Sequence, residues 1–357
     1  MIYPWQTDDW QRLQQLRAHW PHALLLYGEA GIGKLQFAQH LAQGLLCETP
    51  AANGEPCGNC PACLWFSQGN HPDYRAVLPE ALAGLAIGAD STDAAADKSD
   101  GDEGKKSRAP SKEIKIEQVR ALLDFCALGS HRGGKRVVLI YPAEALNVAA
   151  SNALLKTLEE PPASVVFLLV SARVDRLLPT IISRCRQWPM GVPQPKEAGA
   201  WLAVQGVDDP AGLLAQAGGA PLAALALAND ENRALRDFTL AQLAAGPNCD
   251  AFACGENLQK LPVPLVLGWL QRWLYDLLAQ RTAGRPRYFP GAAKALARCA
   301  QSADSAALAR YMKTVTRQRA VENHPLNARL VFEELFIAYR GVFTARDAQR
   351  AEQQQTH

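Results

Sequence analysis

The chain has 357 residues, of which 48% are hydrophobic and 20% are charged, and this is enough apolar material for two or three domains. Its 37 Lys and Arg residues nearly cancel 35 Asp and Glu residues, so a net charge of +2 excludes a general polyanion-binding protein. No apolar run reaches the ~18 residues of a membrane helix and the N-terminal stretch lacks a signal sequence, so we expect a cytoplasmic protein without membrane contact.

Strands that alternate with helices characterise the first half of the chain. Residues 23–27 form a short apolar run, a Gly-rich turn follows over 28–33, and apolar residues recur at helical spacing over 35–45. Further elements are predicted as strands over 136–141 and 165–170, and as helices over 116–128, 146–160 and 177–184. This alternation favours an α/β domain over 1–190, with a mostly parallel sheet flanked by helices.

The composition changes sharply over residues 81–112. No aromatic residue occurs between Tyr74 and Phe125, and residues 90–112 contain six acids and five bases among small residues and proline. Such a segment cannot bury enough apolar surface to offset the entropy lost on ordering. The sequence therefore predicts a mobile insertion.

Beyond about residue 190 the pattern is helical. Short Ala- and Leu-rich helices are predicted over 191–231 and longer amphipathic helices over 232–345, followed by a polar tail over 346–357. We expect a small helical domain and then a larger all-α domain.

Residues 28–34 read Gly-Glu-Ala-Gly-Ile-Gly-Lys, which matches the phosphate-loop pattern between a predicted strand and a predicted helix. Gly28, Gly31 and Gly33 allow backbone N–H groups to surround phosphates, and Lys34 supplies a positive charge. Leu35 replaces the Ser or Thr whose hydroxyl binds Mg²⁺. An ordinary Gly-rich turn is the alternative interpretation, and the binding of ADP or ATP is left open.

A phosphate-loop ATPase also needs a Mg²⁺-binding acid after a neighbouring strand, usually followed by a Glu that polarises water. Tyr141 and Pro142 occupy these positions, and Glu144 comes too late, at a predicted solvent-facing helix start. Because Leu35 also replaces the Mg²⁺-binding hydroxyl, the sequence lacks that hydroxyl, the metal-binding acid and the base that polarises water. The pattern indicates a chain that does not hydrolyse ATP.

Four of the nine cysteines, Cys47, Cys57, Cys60 and Cys63, lie within 17 residues of one another in the sequence. The spacing C-x9-C-x2-C-x2-C offers four thiolates, the ligand set of a closed structural Zn²⁺ site. Four unrelated buried thiols are the alternative, which this spacing disfavours. We predict a structural zinc module over about 47–63.

Several motifs occur in an order that resembles a known family. These are the Gly loop, the four cysteines, His71-Pro72-Asp73, the stretch NALLKTLEEPP over 152–162, and Ser183-Arg184-Cys185. Together they resemble subunits of the bacterial DNA polymerase III clamp loader, an AAA+ assembly, from about residue 4 to 345 except for 81–112. The resemblance implies an AAA+ domain over 1–190, a lid domain over 191–231 and a collar domain for oligomerisation over 232–345.

The altered catalytic positions decide which type of subunit the chain resembles. Motor subunits, tau and gamma, carry the hydroxyl and the acids that are missing here, whereas Lys34 is retained, so the chain looks like the non-motor delta prime type. The resemblance implies a ring with tau/gamma ATPase subunits and the delta subunit, within DNA polymerase III, a nucleotidyltransferase. That ring loads the sliding clamp onto primer-template DNA during replication.

In this family the Ser-Arg-Cys arginine reaches the γ-phosphate bound by a neighbouring subunit, which implies that Arg184 is an arginine finger. A surface ion pair at a helix end is its alternative interpretation.

Two other functions are alternatives for the chain as a whole. A tau/gamma-like motor would require a hydroxyl at 35 and acids at 141–142. A zinc-ribbon nucleic-acid-binding protein with a vestigial loop would require a basic, aromatic-rich surface around the cysteines, yet residues 51–73 contain no Lys or Arg and only Trp65 and Phe66 as aromatic residues.

Overall fold

A computed structural model of the chain describes residues 2–85, 87, 110–127, 129–131, 134–320 and 327–354. The chain divides into two compact units, Met1–Glu197 and Ala198–His357. Most of the predicted mobile insertion, residues 88–109, lies outside the described residues, as do 355–357 at the end of the predicted tail.

The first unit is built on a parallel sheet. Its strands are β1 (Ala23–Tyr27), β2 (Tyr74–Val77), β3 (Arg136–Ile140), β4 (Val165–Ser171) and β5 (Arg186–Pro189). Their order is β2-β3-β4-β1-β5, and every neighbouring pair is parallel. All residues of β3 and β4 are buried, as expected for central strands of a parallel sheet.

Helices cover this sheet and carry the loops discussed below. They are α1 (Thr7–Gln14), α2 (Lys34–Leu46), α3 (Pro61–Ser67), α4 (Ile116–Ala127), α5 (Val148–Glu159) and α6 (Pro179–Arg184). Helix α2 contacts β1, β3 and β4. Helices α4, α5 and α6 pack in one hydrophobic cluster with Leu25, Val138 and Phe167 of the sheet. The predicted α/β architecture is confirmed.

From residue 195 onward the described residues form helices and the turns between them. Its helices are α7 (Pro195–Val204), α8 (Pro210–Gln216), α9 (Pro221–Ala228), α10 (Arg233–Ala244), α11 (Ala251–Leu258), α12 (Val263–Ala283), α13 (Ala293–Ser302), α14 (Ser305–Ala320) and α15 (Ala328–Gln354). Helix α15 therefore extends into the segment predicted as a polar tail. No single helix among the described residues has the length and apolarity of a membrane span; α8 and α9 reach that length only together, across a bend of 111°.

Two hydrophobic clusters occur among the described residues of the helical part. A small one contains Ala198, Leu202 and Leu214, from α7 and α8. A larger one is centred on aromatic residues of α12 and α15, where Trp273 Nε1 donates to the Tyr339 hydroxyl at 2.9 Å. A helical C-terminal region, as predicted, is confirmed.

Candidate functional site

The Gly-rich loop connects β1 to α2, and its glycines are required by close backbone packing. Gly31 and Gly33 have φ values of 81° and 89°, in the left-handed region that favours glycine. A Cβ on Gly28 would overlap the carbonyl oxygen of Met190, and one on Gly33 would overlap the ring of Tyr3. The backbone packing therefore requires glycine at 28 and 33.

Lys34 begins α2, and its side chain folds back onto the loop. Its Nζ donates to the carbonyl oxygens of Gly28 at 2.8 Å and Glu29 at 2.5 Å, and the residue is only 5% exposed. Burial lowers the pKa of Lys34 to about 8, although the nearby carboxylates of Glu144 and Glu29 oppose the shift. The ammonium group is thus bonded to the carbonyl groups of its own loop.

The N-terminal segment covers the far end of this loop, a feature that no motif in the sequence indicates. The indole N–H of Trp5 donates to the Ile32 carbonyl at 3.0 Å. The amide of Gln6 donates to the carbonyls of Ile32 and Gly33 at 3.1 and 2.9 Å. These bonds hold the loop in place from outside the motif itself.

The positions that would bind Mg²⁺ in an ATPase carry no suitable ligand. Leu35 is a buried apolar residue in the first turn of α2, and Tyr141 and Pro142 directly follow β3. In such an ATPase this ion is held by a Ser or Thr hydroxyl in the first turn of the helix and by a carboxylate after the strand. The residues present therefore do not fit the Mg²⁺ site of a phosphate-loop ATPase.

Glu144 is not the solvent-facing residue predicted from its position after β3. Its side chain is half-buried, and its Oε1 accepts a hydrogen bond from the backbone N–H of Ala172 at 3.0 Å. Its Oε2 is buried and has no hydrogen-bond partner among the described residues. The carboxylate acts electrostatically on Lys34 and stabilises the charge of the ammonium group.

Arg184 is the last residue of α6, and Glu159 is the last residue of α5. The guanidinium Nη2 lies 2.5 Å from Glu159 Oε1, and Nη1 donates to the Thr180 carbonyl at 2.9 Å. The Arg184 and Glu159 side chains are 32% and 50% exposed. In the chain by itself, Arg184 therefore forms the ion pair at a helix end that was weighed as its alternative interpretation.

The structure brings the four predicted cysteine ligands together. Their sulfur atoms all lie within 4.8 Å of one another; Cys47 and Cys60 are 3.8 Å apart, and Cys57 and Cys63 are 4.0 Å apart. Tetrahedral coordination with metal–sulfur bonds of about 2.3 Å places sulfur atoms about 3.8 Å apart. The cluster can hold one metal ion, and the donor set and spacing fit zinc.

Local backbone geometry orients these thiols toward one another. The Cys57 N–H points at the Cys47 sulfur at 3.3 Å, and the Cys60 N–H points at the Cys57 sulfur at the same distance. Hydrogen bonds from the Thr49 side chain and from backbone N–H groups lower the pKa of the Cys57 thiol to about 6. Burial raises the pKa of the Cys63 thiol, which a bound cation would oppose.

Comparison with known proteins gives consistent matches. The family model described as "DNA polymerase III, delta subunit" matches residues 5–192. The chain is 39% identical over 289 residues to "DNA polymerase III subunit delta'" of Pseudomonas aeruginosa, covering 78% of this chain and 77% of the relative. It is 36% identical over 167 residues to "DNA polymerase III subunit tau" of Escherichia coli, covering 47% of this chain and 21% of that one.

A comparison with solved structures gives a match as well. It is a gamma subunit-related protein of DNA polymerase III from Thermotoga maritima, 16% identical, with a TM-score of 0.46, covering 93% of this chain and 99% of that one. A likeness of this degree assigns no role to individual residues.

Proposed function

This chain belongs to the bacterial family of DNA polymerase III delta' subunits, and from that membership we propose that it is a non-motor subunit of the replicative clamp loader. In this proposal it joins tau/gamma ATPase subunits and the delta subunit in a cytoplasmic ring. The ring loads the sliding clamp onto primer-template DNA. This chain braces the ring and completes a neighbour's ATP site without hydrolysing ATP itself.

The observation that carries the proposal is the state of the phosphate loop. The loop keeps its glycines and Lys34, but Leu35, Tyr141 and Pro142 offer Mg²⁺ no oxygen side-chain ligand of the required kind. Lys34 is bonded to the carbonyls of its own loop. These features support the proposal that the chain keeps the fold of a nucleotide-binding domain but serves a structural role in the clamp loader.

The second part of the proposal concerns Arg184. A partly exposed guanidinium at the end of α6 is always charged, and it can offset negative charge that develops on a phosphate during transfer. Arginine fingers supplied in trans accelerate related phosphoryl transfers by about 10³–10⁵-fold. We propose that Arg184 acts in this way on ATP bound by an adjacent motor subunit.

We further propose that the cysteine cluster holds a structural Zn²⁺. Four thiolates leave no open coordination position, so the ion would stabilise the segment between α2 and α3 and take no part in catalysis. The zinc-ribbon nucleic-acid-binding alternative gains no support, since residues 51–73 contain no Lys or Arg. The motor alternative is disfavoured by the same missing Mg²⁺ ligands that carry the main proposal.

The decisive test is Arg184→Ala in a clamp loader reconstituted with the cognate motor and delta subunits. We expect lower DNA- and clamp-stimulated ATPase and slower clamp loading, with the variant folded and incorporated into the complex. Arg173→Ala is the matched control, because Arg173 is an exposed arginine of the same unit that pairs with Asp175 at 2.8 Å. Normal rates with Arg184→Ala would overturn the finger assignment.

A further inference from the structure

We infer that Glu159 is a positioning residue that orients Arg184 for a phosphate on the neighbouring subunit. This inference rests on the proposed function of Arg184. The Glu159 carboxylate and the Thr180 carbonyl hold the guanidinium from two sides, at 2.5 and 2.9 Å. They tie the guanidinium to the end of α5 and to the first turn of its own helix, α6, so the position of the charge depends on both helices.

Without such anchors, an arginine side chain has many rotamers, and ordering it costs entropy when it reaches a ligand. The guanidinium has five N–H donors. Its hydrogen bonds to Glu159, Thr180 and the Ser183 hydroxyl come from Nη1 and Nη2, and Nε has no hydrogen-bond partner among the described residues. The side chain is therefore held in one place and still has donors to offer a phosphate.

The location of Glu159 argues that it serves Arg184 rather than its own helix. A carboxylate in the last turn of a helix is repelled by the negative end of the helix dipole. Glu159 is the last residue of α5, directly before Glu160 and the two prolines that follow the helix. The helix dipole does not favour a negative charge there, whereas pairing with the cation at the end of α6 does.

The pair also has the right strength for this role. Both side chains are partly exposed, and exposed ion pairs are weak because water and salt screen them. A phosphate with two or more negative charges can then bind the guanidinium without first breaking a buried pair. The carboxylate orders the Arg184 side chain but does not prevent it from binding a phosphate.

The test compares four variants in the reconstituted clamp loader: Glu159→Ala, Glu159→Gln, Glu160→Ala and Arg184→Ala. Glu160 is the matched control, because it is an exposed glutamate next in the chain without an ion pair among the described residues. We expect Glu159→Ala to lower the kcat of the ATPase about 2- to 5-fold with little change in KM for ATP, since a finger acts mainly in the transition state. Glu159→Gln keeps an oxygen acceptor and should retain most of the rate, and Glu160→Ala should match the wild type.

The outcomes separate the two proposals. If Arg184→Ala lowers the rate but Glu159→Ala behaves like Glu160→Ala, Glu159 does not position the finger and only this inference is wrong. A faster ATPase with Glu159→Ala would also overturn it, because the carboxylate would then compete with the phosphate. An equal loss with Glu159→Gln and Glu159→Ala would exclude orientation through the acceptor oxygen. If Arg184→Ala itself has no effect, the proposed function of Arg184 fails first.

Discussion

Asp73, just before β2, and Arg136, the first residue of β3, form a buried ion pair with Oδ1 and Nε 3.1 Å apart. Their side chains are 2% and 5% exposed. Asp73 Oδ1 also accepts from the backbone N–H of His131 at 2.9 Å, and Arg136 Nη1 donates to the carbonyl of Phe125 at the end of α4. The pair thus joins the edge strand β2 to the body of the sheet and gives the Asp of the His-Pro-Asp motif a structural role.

Replacing Asp73 by Ala should strongly destabilise the first unit. The substitution leaves the Arg136 charge buried without its partner, and breaking a buried pair in this way costs about 3–5 kcal/mol of unfolding free energy. Asp175→Ala removes an exposed partner of Arg173 and should cost far less, because water and salt screen an exposed pair. Urea unfolding followed by circular dichroism measures both, and similar losses in the two variants would contradict the structural role of Asp73.

Metal analysis and melting test the cysteine cluster. Purified chain should contain about one zinc ion, and a strong chelator should lower the melting temperature because metal binding contributes folding free energy. Cys60→Ala should lose the metal, whereas Cys126→Ala, which removes a buried thiol of α4 outside the cluster, should keep it. A melting temperature that chelation leaves unchanged, in protein shown to be metal-free afterwards, would count against a structural ion.

The pH dependence of stability tests the environment of Lys34. Burial lowers the Lys34 pKa from 10.5 to about 8, so the folded form carries the cost of the charged group at any pH below about 8. As the pH rises from 8 toward 10.5, the folded chain releases this proton before the unfolded chain does, and the folded state gains stability.

The comparison variant is Lys34→Met, which lacks this group. The unfolding free energy of the wild type minus that of Lys34→Met should rise by on the order of 2 kcal/mol between pH 8 and 10. Other groups that titrate in this range cancel in the difference. A difference that stays flat, or falls, would show that Lys34 is not held in the buried position described here.

Central strands were predictable from the sequence, whereas edge strands were not. The apolar runs that became β1, β3 and β4 mark buried strands of a parallel sheet. Strand β5 reads Arg-Gln-Trp-Pro with only Trp188 buried, and β2 has only four residues. Both lie at the edges of the sheet, where short polar stretches and proline are tolerated and periodicity carries little signal.

In the candidate sites, features set by residues close together in the sequence were predictable, whereas contacts between distant residues were not. The cysteine spacing and the glycine pattern encode local turns, and the structure reproduces both. The contact between Glu159 and Arg184 spans 25 residues, and that between Trp5 and Ile32 spans 27, so neither follows from a local pattern. The prediction that Glu144 faces solvent is wrong for this reason. Its burial depends on a contact with Ala172, directly after β4, which lies 28 residues away in the sequence.

In the proposed function, this chain keeps the fold of a phosphate-loop ATPase without the groups that hydrolyse ATP. The most direct measurement is ATP turnover by the purified chain alone, with and without Mg²⁺, beside a Lys34→Ala variant. We predict that phosphate release by the wild type equals that by Lys34→Ala and does not respond to Mg²⁺. Sustained Mg²⁺-dependent turnover that Lys34→Ala abolishes would show that this chain is itself an ATPase and that the proposed function is wrong.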